Sequence, residues 1–438
     1  MAGGTWTTMN KVRPGTYINI TGQGVAAGSV GDRGTVAMAL SLSWGPSKSL
    51  LKINAGDDIT TLLGYDLTAP SVLLVKEALK RAKTLLLYRL NAGTKAAVTT
   101  GTLTVTAKHG GLRGNNLTIV IQTNVDDNAK FDVITLLAGA EVNRQVVSNI
   151  AGLVANDWVV FSGSGTLATT AGAPLIGGAD GTVVNSDHTD FLAAVELYDF
   201  NTLAYTGTAS DLKALYTAFI KRLRDDEGKK VQLVLENYAT AGYEGVISVK
   251  NGVKLSDGTV LTAAQATAWV AAATAAAQVN QSLTYDNYDD AVDVGTRYTN
   301  AQIEAAILAG EFVFTPNQDK AKVEIDINTF TNFTPTKGKK FSKNRVIRVL
   351  DGIANDFKLI FDSFYGGKVD NNPDGRDLLW NEYITYLKTL QGLNALQNVD
   401  SATDVKIIQG TESDSVYVEV AVQPVDSIEK VYMKVTVR

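Results

Sequence analysis

Residues 202–235 read TLAYTGTASDLKALYTAFIKRLRDDEGKKVQLVL, and this stretch decides the fold. Thr202 to Tyr205 and Val231 to Leu235 are short apolar runs of strand type, while Ser210 to Arg224 between them carries the apolar spacing of a helix. Strands that alternate with helices argue for a partly parallel sheet covered on its faces. Upstream, the helix Asp187 to Glu196 extends the same pattern. Nearer the start, an apolar strand (Thr35 to Leu42), a turn at Gly45-Pro46, a helix (Pro70 to Ala82) and a buried-type strand (Thr84 to Leu90) repeat it.

Between these two α/β stretches the composition changes. Residues 98 to about 174 are rich in Thr, Val, Gly and Asn, with strands expected at Leu103 to Ala107, Leu117 to Thr123, Phe131 to Leu136 and Trp158 to Phe161. Gly and Asn turns separate them, which is the pattern of a small β-sandwich inserted into the α/β body. Beyond the quoted stretch, Thr262 to Ala277 is an Ala/Thr helix whose small side chains suit close packing against a sheet. Strands Phe312 to Thr315 and Lys322 to Ile327 form a hairpin around Asn317-Gln318. An amphipathic helix follows from Ser342 to about Phe364, stopped by Gly366-Gly367, and then a second from Arg376 to about Leu390 with Asp374 as its cap.

Both chain ends read as strands. Thr16-Tyr17-Ile18-Asn19-Ile20 is a short alternating run in an otherwise small and polar arm. At the other end Val416, Val418, Val420 and Val422 share one face until Pro424 closes the strand. A second alternation, Val431-Tyr432-Met433-Lys434-Val435-Thr436-Val437, runs to the last residue. The fold class is therefore mixed α+β and multidomain: an arm (1–25), the first part of an α/β core (26–97), an inserted β-sandwich (98–180), a central α/β domain (181–337) and a C-terminal unit (338–438).

Composition excludes several functions. In 438 residues there are no cysteines, so disulfides, thiolate metal sites and thiol nucleophiles are all ruled out. The net charge of −5 offers no general attraction to nucleic acid or to an anionic membrane. No stretch reaches the length of a membrane span, and the start, MAGGTWTTMNKVRPG, lacks a signal peptide's apolar run. Synthesis and folding in a cytoplasm are expected.

Catalytic material is equally scarce. The two histidines, His109 and His188, fall in different units, which leaves no raw material for a triad or a His-rich metal site. The run Lys108 to Gly114 (KHGGLRG) lacks the order of a phosphate loop and reads as a flexible β-turn, and Leu175 to Gly181 (LIGGADG) reads as a junction turn. Asp286, Asp289, Asp290 and Asp293 read as a solvated acidic loop, since the Gly-bend spacing of a calcium site is missing. No catalytic, cofactor or metal residue is assigned. Lys337, Lys339, Lys340, Lys343, Arg345 and Arg348 form the one basic concentration, suited to nucleic acid, to an acidic protein surface, or simply to solvent.

These pieces resemble the contractile tail sheath proteins of myophages, defective prophages and phage-tail-like bacteriocins of Gram-positive bacteria. The resemblance rests on Arg13-Pro14-Gly15-Thr16-Tyr17-Ile18, on Gly31-Asp32-Arg33-Gly34 followed by Trp44-Gly45-Pro46, on the LIGGADG run, and on the closing unit from Phe341 to Arg438. It implies a structural subunit, not an enzyme, that needs no cofactor and forms hexameric rings stacked helically around a tail tube. Its implied partners are other copies of itself, the tail tube protein, and baseplate and tail terminator proteins, without nucleic acid or membrane insertion. It places the first and last units against the tube and the β-sandwich outside, and it makes Thr16 to Ile20 and Val431 to Val437 inter-subunit strands. Lys343, Arg345 and Arg348 are then candidates for tube contact. Another self-assembling protein, a tail tube or surface-layer component, and an α/β enzyme are the rival classes.

Overall fold

The computed structural model describes residues 30–437 and, for the backbone alone, the short strands Ala2–Gly4 and Gly15–Tyr17. Gly3 and Gly4 lie opposite Thr16 and Tyr17 in a parallel pair. The remaining predicted residues of that arm strand, Ile18, Asn19 and Ile20, lie outside the described residues. The chain forms two compact units. The larger comprises residues 32–352 and 426–438, the smaller residues 1–31 and 353–425.

A seven-stranded sheet is the centre of the larger unit. Its order across the sheet is Glu311–Phe312, Val246–Val249, Gln232–Glu236, Thr202–Ala204, Thr35–Leu40, Thr84–Arg89 and Leu50–Asn54. Every neighbouring pair is parallel except the last. Side chains on successive residues point to opposite faces. Val36, Met38, Leu85, Leu87 and Val234 thus enter one core, while Ala37, Ala39, Leu86, Tyr88, Leu233 and Leu235 enter another. The helices Asn185–Glu196 and Ser210–Asp225 cover the second face with Phe191, Tyr216, Ile220 and Leu223.

The first face is covered by the Ala/Thr helix, observed at Ala263–Ala276. Thr262 caps it, accepting from the Gln265 N–H at 3.2 Å, and the Gln265 side chain accepts in return from the Thr262 N–H at 2.9 Å. The Thr202 hydroxyl donates to the Ala271 carbonyl at 2.8 Å, a bond made from a sheet strand to the helix backbone. Only small side chains allow that approach. Its one large residue, Trp269, stacks on Tyr288 with ring centroids 4.4 Å apart.

The inserted β-sandwich pairs a four-stranded sheet, Ala140–Val147, Phe131–Leu137, Leu117–Thr123 and Thr170–Pro174, with a three-stranded one, Val159–Gly163, Leu103–Ala107 and Ala97–Thr100. All pairs are antiparallel. Leu103, Val105, Ile119, Ile121, Val133 and Trp158 fill the space between them. Strands Ala97–Thr100, Ala140–Val147 and Thr170–Pro174 escaped the sequence reading, because their exposed polar residues blur the alternation.

The two Gly-rich runs meet where the sandwich leaves the core, and neither is the turn expected of it. Residues 175–180 lie along Thr94–Ala97 through antiparallel bridges at Thr94–Ala179 and Ala97–Ile176. Gly111, at φ 134°, packs so closely that a Cβ there would sit 2.1 Å from the Ser43 carbonyl oxygen. Asp180 accepts from the Leu112 N–H at 2.8 Å and from the Ser43 hydroxyl at 2.9 Å. Beneath them Arg89, wholly buried, donates to the Gly45 and Gly110 carbonyls, both at 2.7 Å. Gly110, Gly111 and Gly178 serve close packing, not flexibility.

The long C-terminal helices differ from expectation at their ends. A 3₁₀ turn, Lys339–Ser342, precedes the helix Asn344–Ile360, and a single π turn, Phe361–Tyr365, follows it before Gly366 and Gly367. The next helix is Pro373–Gly392, and its cap is Asn372, not Asp374: the Asn372 side chain accepts from the Gly375 N–H at 2.8 Å. Within the smaller unit Phe357 stacks on Tyr383 at 3.9 Å, and the Tyr386 hydroxyl donates to Asp356.

Two predictions follow from this packing. Replacing Ala272, fully buried in the Ala/Thr helix, with Leu overfills a close-packed face and should cost about 1–3 kcal/mol, read as a lowered urea midpoint with unchanged slope. His109 stands edge-on to Trp44 at the sandwich junction, and burial, with Lys108, Arg89 and Lys95 adding repulsion, pushes its pKa down to about 4. The folded state thus resists protonation that the unfolded chain accepts near its ordinary value of 6.5. Stability held above pH 6.5 should fall as the pH drops from there towards 4. His188, lowered by burial beside Tyr216, acts in the same direction, so urea midpoints of His109→Gln should fall less steeply across that window, not become flat.

Candidate assembly surfaces

The two histidines do not come together. His109 sits in the sandwich junction, whereas His188 lies under the sheet with its Nδ1 2.9 Å from the Tyr216 hydroxyl. Among the described residues no group of three His, Asp or Glu side chains is arranged to hold a metal ion, and no helix is long and apolar enough to cross a membrane.

The acidic cluster is not the solvated loop its composition suggested. Arg81 reaches across to donate to Asp286 at 3.2 Å and to Asp289 at 2.5 and 3.0 Å, and Lys80 pairs with Asp290 at 3.4 Å. Asp289 also accepts from the Trp269 indole at 2.8 Å, and Asp293 pairs with Arg297 at 2.9 Å. Below them Glu77, fully buried, accepts from the Tyr288 hydroxyl at 2.7 Å. These carboxylates fasten the 286–293 loop to the helix Leu73–Leu79 and the residues just after it.

The basic concentration also turns inward. Arg348 is 1% exposed, paired with the equally buried Asp326 at 3.5 Å and donating to the Gln281 carbonyl. A guanidinium in that position has no surface of the single chain to offer to the tube contact expected of it. Lys343 pairs with Glu429. Arg345 is partly buried, which lowers its pKa, while Asp426 and Glu429 oppose that shift and Arg348 adds to it. Lys337 pairs with Glu244 at 2.5 Å, and Lys339 and Lys340 stand exposed. The acidic partner of Lys343 and Arg345 within the chain was missed because it lies more than eighty residues away, as two carboxylates just ahead of the terminal alternating run. A comparable bond is Arg224 to Asp351, made through two N–H groups at 2.6 and 2.8 Å. Burial alone pulls Arg224 down, but Asp351 outweighs it and holds the guanidinium above its usual range.

The chain end offers the other unusual surface. The predicted strand from Val416 is present as Val416–Val420, paired antiparallel with Val405–Gln409, a partner the sequence reading did not name. The hairpin rests on the helix Pro373–Gly392, whose Trp380 indole donates to the Val405 carbonyl at 3.0 Å. It stands alone as a two-stranded sheet, with both outer edges unpaired among the described residues.

The second predicted strand, Val431 to Val437, is not a strand within the single chain. It has no ladder partner among the described residues. Val431, Tyr432, Met433, Val435 and Val437 are 75–93% exposed. Soluble monomers seldom leave so many apolar side chains of one short segment in water.

Four family models match in succession: Tail sheath protein Gp18 domain III N-terminal region (residues 33–90), Phage tail sheath protein beta-sandwich domain (91–180), Phage tail sheath protein central domain (181–329) and Phage tail sheath C-terminal domain (336–438). The Phage-like element PBSX protein XkdK of Bacillus subtilis strain 168 is 41% identical over the full length of both chains. The crystal structure of a sheath tail protein from Desulfitobacterium hafniense is 61% identical, with TM-score 0.89 over 96% of this chain and 99% of that one. The helical sheath of the anti-feeding prophage in its contracted state, at 14% identity, shares the fold, with TM-score 0.57 over 97% of this chain and 99% of that one. With its α/β body, inserted β-sandwich and C-terminal unit each matched in order, the chain belongs to the phage tail sheath protein family.

Proposed function

We propose that this sheath subunit assembles into hexameric rings stacked helically around a tail tube, and that the sleeve relaxes from a metastable extended state to a shorter, wider one. Relaxation drives the tube through a target envelope. No nucleotide is hydrolysed and no cofactor takes part. Assembly occurs in the bacterial cytoplasm, on the tube and between baseplate and terminator proteins, and the product is a virion tail or a released tail-like particle.

The carrying observation is the exposed, unpartnered run Val431 to Val437. An alternating segment without a ladder satisfies its backbone by adding to a sheet edge elsewhere, the mode called β-augmentation. The hairpin Val405–Gln409 and Val416–Val420 of a neighbouring copy has such edges to give. With Thr16 to Ile20 donated likewise, each subunit is tied to others through backbone hydrogen bonds. Neighbours can then swing as rigid bodies while staying attached, and a small gain per subunit sums over the sleeve. The helix Pro373–Gly392 takes the tube-facing role in place of the buried Arg348, and the β-sandwich faces outward.

Deleting residues 1–20, or separately residues 431–438, should leave folded subunits with an unchanged thermal midpoint that form no sleeves by negative-stain microscopy. Sleeves of ordinary length from both deletions would overturn the linking role.

A further inference from the structure

We infer that Glu429 is a positioning residue: its carboxylate, clasped by Lys343 and Thr284, fixes the point at which the C-terminal segment leaves the subunit and so presents Val431 to Val437 to a neighbouring copy. The inference rests on the linking role proposed above and adds the device that aims the segment.

The two carboxylate oxygens of Glu429 meet two partners from elsewhere in the fold, and the nearby Ser427 hydroxyl donates to one of them at 3.4 Å. One accepts from the Thr284 hydroxyl at 2.8 Å, and the other pairs with the Lys343 ammonium. Both charged side chains are largely withdrawn from water, at 12% and 15% exposure. The socket is itself held from below. The Thr284 oxygen accepts from the Asp326 N–H at 3.0 Å, and the buried Asp326 carboxylate accepts from the Leu283 N–H at 3.0 Å and from the Asn344 amide at 2.8 Å. Asn344 begins the helix that Lys343 precedes. Glu429 therefore closes on a site whose geometry is set before the segment arrives.

Glu429 is the last described residue of the chain that is not exposed. Ile428 on one side is 90% exposed, and from Val431 onward every described apolar side chain is in solvent. The clasp is the last fixed point before the free run. Val431 stands two residues beyond it, at most about 7 Å of extended chain, so the run starts from a defined position. Release of Glu429 would lengthen the free segment and widen the volume it samples, which lowers its effective concentration at a neighbour's sheet edge. The folded body of the subunit has no such dependence, because Asp326, Asn344 and Arg348 keep their own bonds without Glu429.

The test measures the lowest subunit concentration that yields sleeves, alongside the thermal midpoint of the unassembled subunit. Glu429→Ala, Glu429→Gln and Lys343→Glu should each raise that concentration by about five- to tenfold, in keeping with a change of effective concentration, while the midpoint stays within about 2 °C of the original. The double variant Lys343→Glu with Glu429→Lys restores the pair in reverse and should return assembly to within about twofold. Normal assembly of Glu429→Ala and Glu429→Gln would overturn the inference, as would an assembly loss that tracks a fall in midpoint or that the reversed pair fails to rescue. Truncation of residues 431–438 separates the two ideas: sleeves from the truncated chain would sink the linking role itself, whereas a truncation that abolishes sleeves beside a harmless Glu429→Ala would sink only the clasp.

Discussion

A mostly parallel sheet must be covered on both faces, and that requirement organises the larger unit of this subunit. Val36, Ala37, Met38 and Ala39 are all buried, although alternate members point to opposite sides, because helices lie over each face. The two faces are covered by different means. Ser210–Asp225 presents an ordinary amphipathic stripe of Leu, Tyr, Phe and Ile. The Ala/Thr helix has almost no stripe, since most of its circumference is buried, and its small side chains let the backbone come close enough for Thr202 to bond to it.

Regular elements were largely legible from the sequence because they follow a period. The strands and helices around 202–235, the sandwich strands with alternating Leu, Ile and Val, and the two C-terminal helices all appear close to their expected spans. Misreadings arose where a residue's role depends on a distant partner. Asp374 looked like a cap until Asn372 proved to hold the Gly375 N–H. The glycines at 110, 111 and 178 looked like flexible punctuation, yet each lies against backbone from another segment at a distance no Cβ would permit.

Charge was the least legible feature. A run of lysines and arginines, or of aspartates, reads as a solvated face when only neighbours in sequence are visible. In the fold Arg81 gathers two of the aspartates, Arg348 disappears beneath Asp326, and Lys343 finds Glu429 across more than eighty residues. An ion pair between distant segments has no local period to announce it. Full burial also changes what the Arg348–Asp326 pair does: with one partner removed the other stays desolvated, so that pair resists separation more than an exposed one.

The terminal run shows the opposite case, a sequence pattern that one folded chain does not use. Val431, Met433, Val435 and Val437 alternate as strand residues should, yet among the described residues no strand pairs with them. A pattern that costs exposed apolar surface in the monomer makes sense when the partner is another copy. On the proposed reading the same run accounts for the scarcity of chemistry elsewhere. If the work of the particle comes from rearranging many linked subunits, each subunit needs a rigid body, a firmly rooted segment and an edge to receive one. The rigid body is the double-covered sheet, and the edge is the hairpin on the helix Pro373–Gly392. The root is Glu429, where a largely buried charge gives way within two residues to exposed chain.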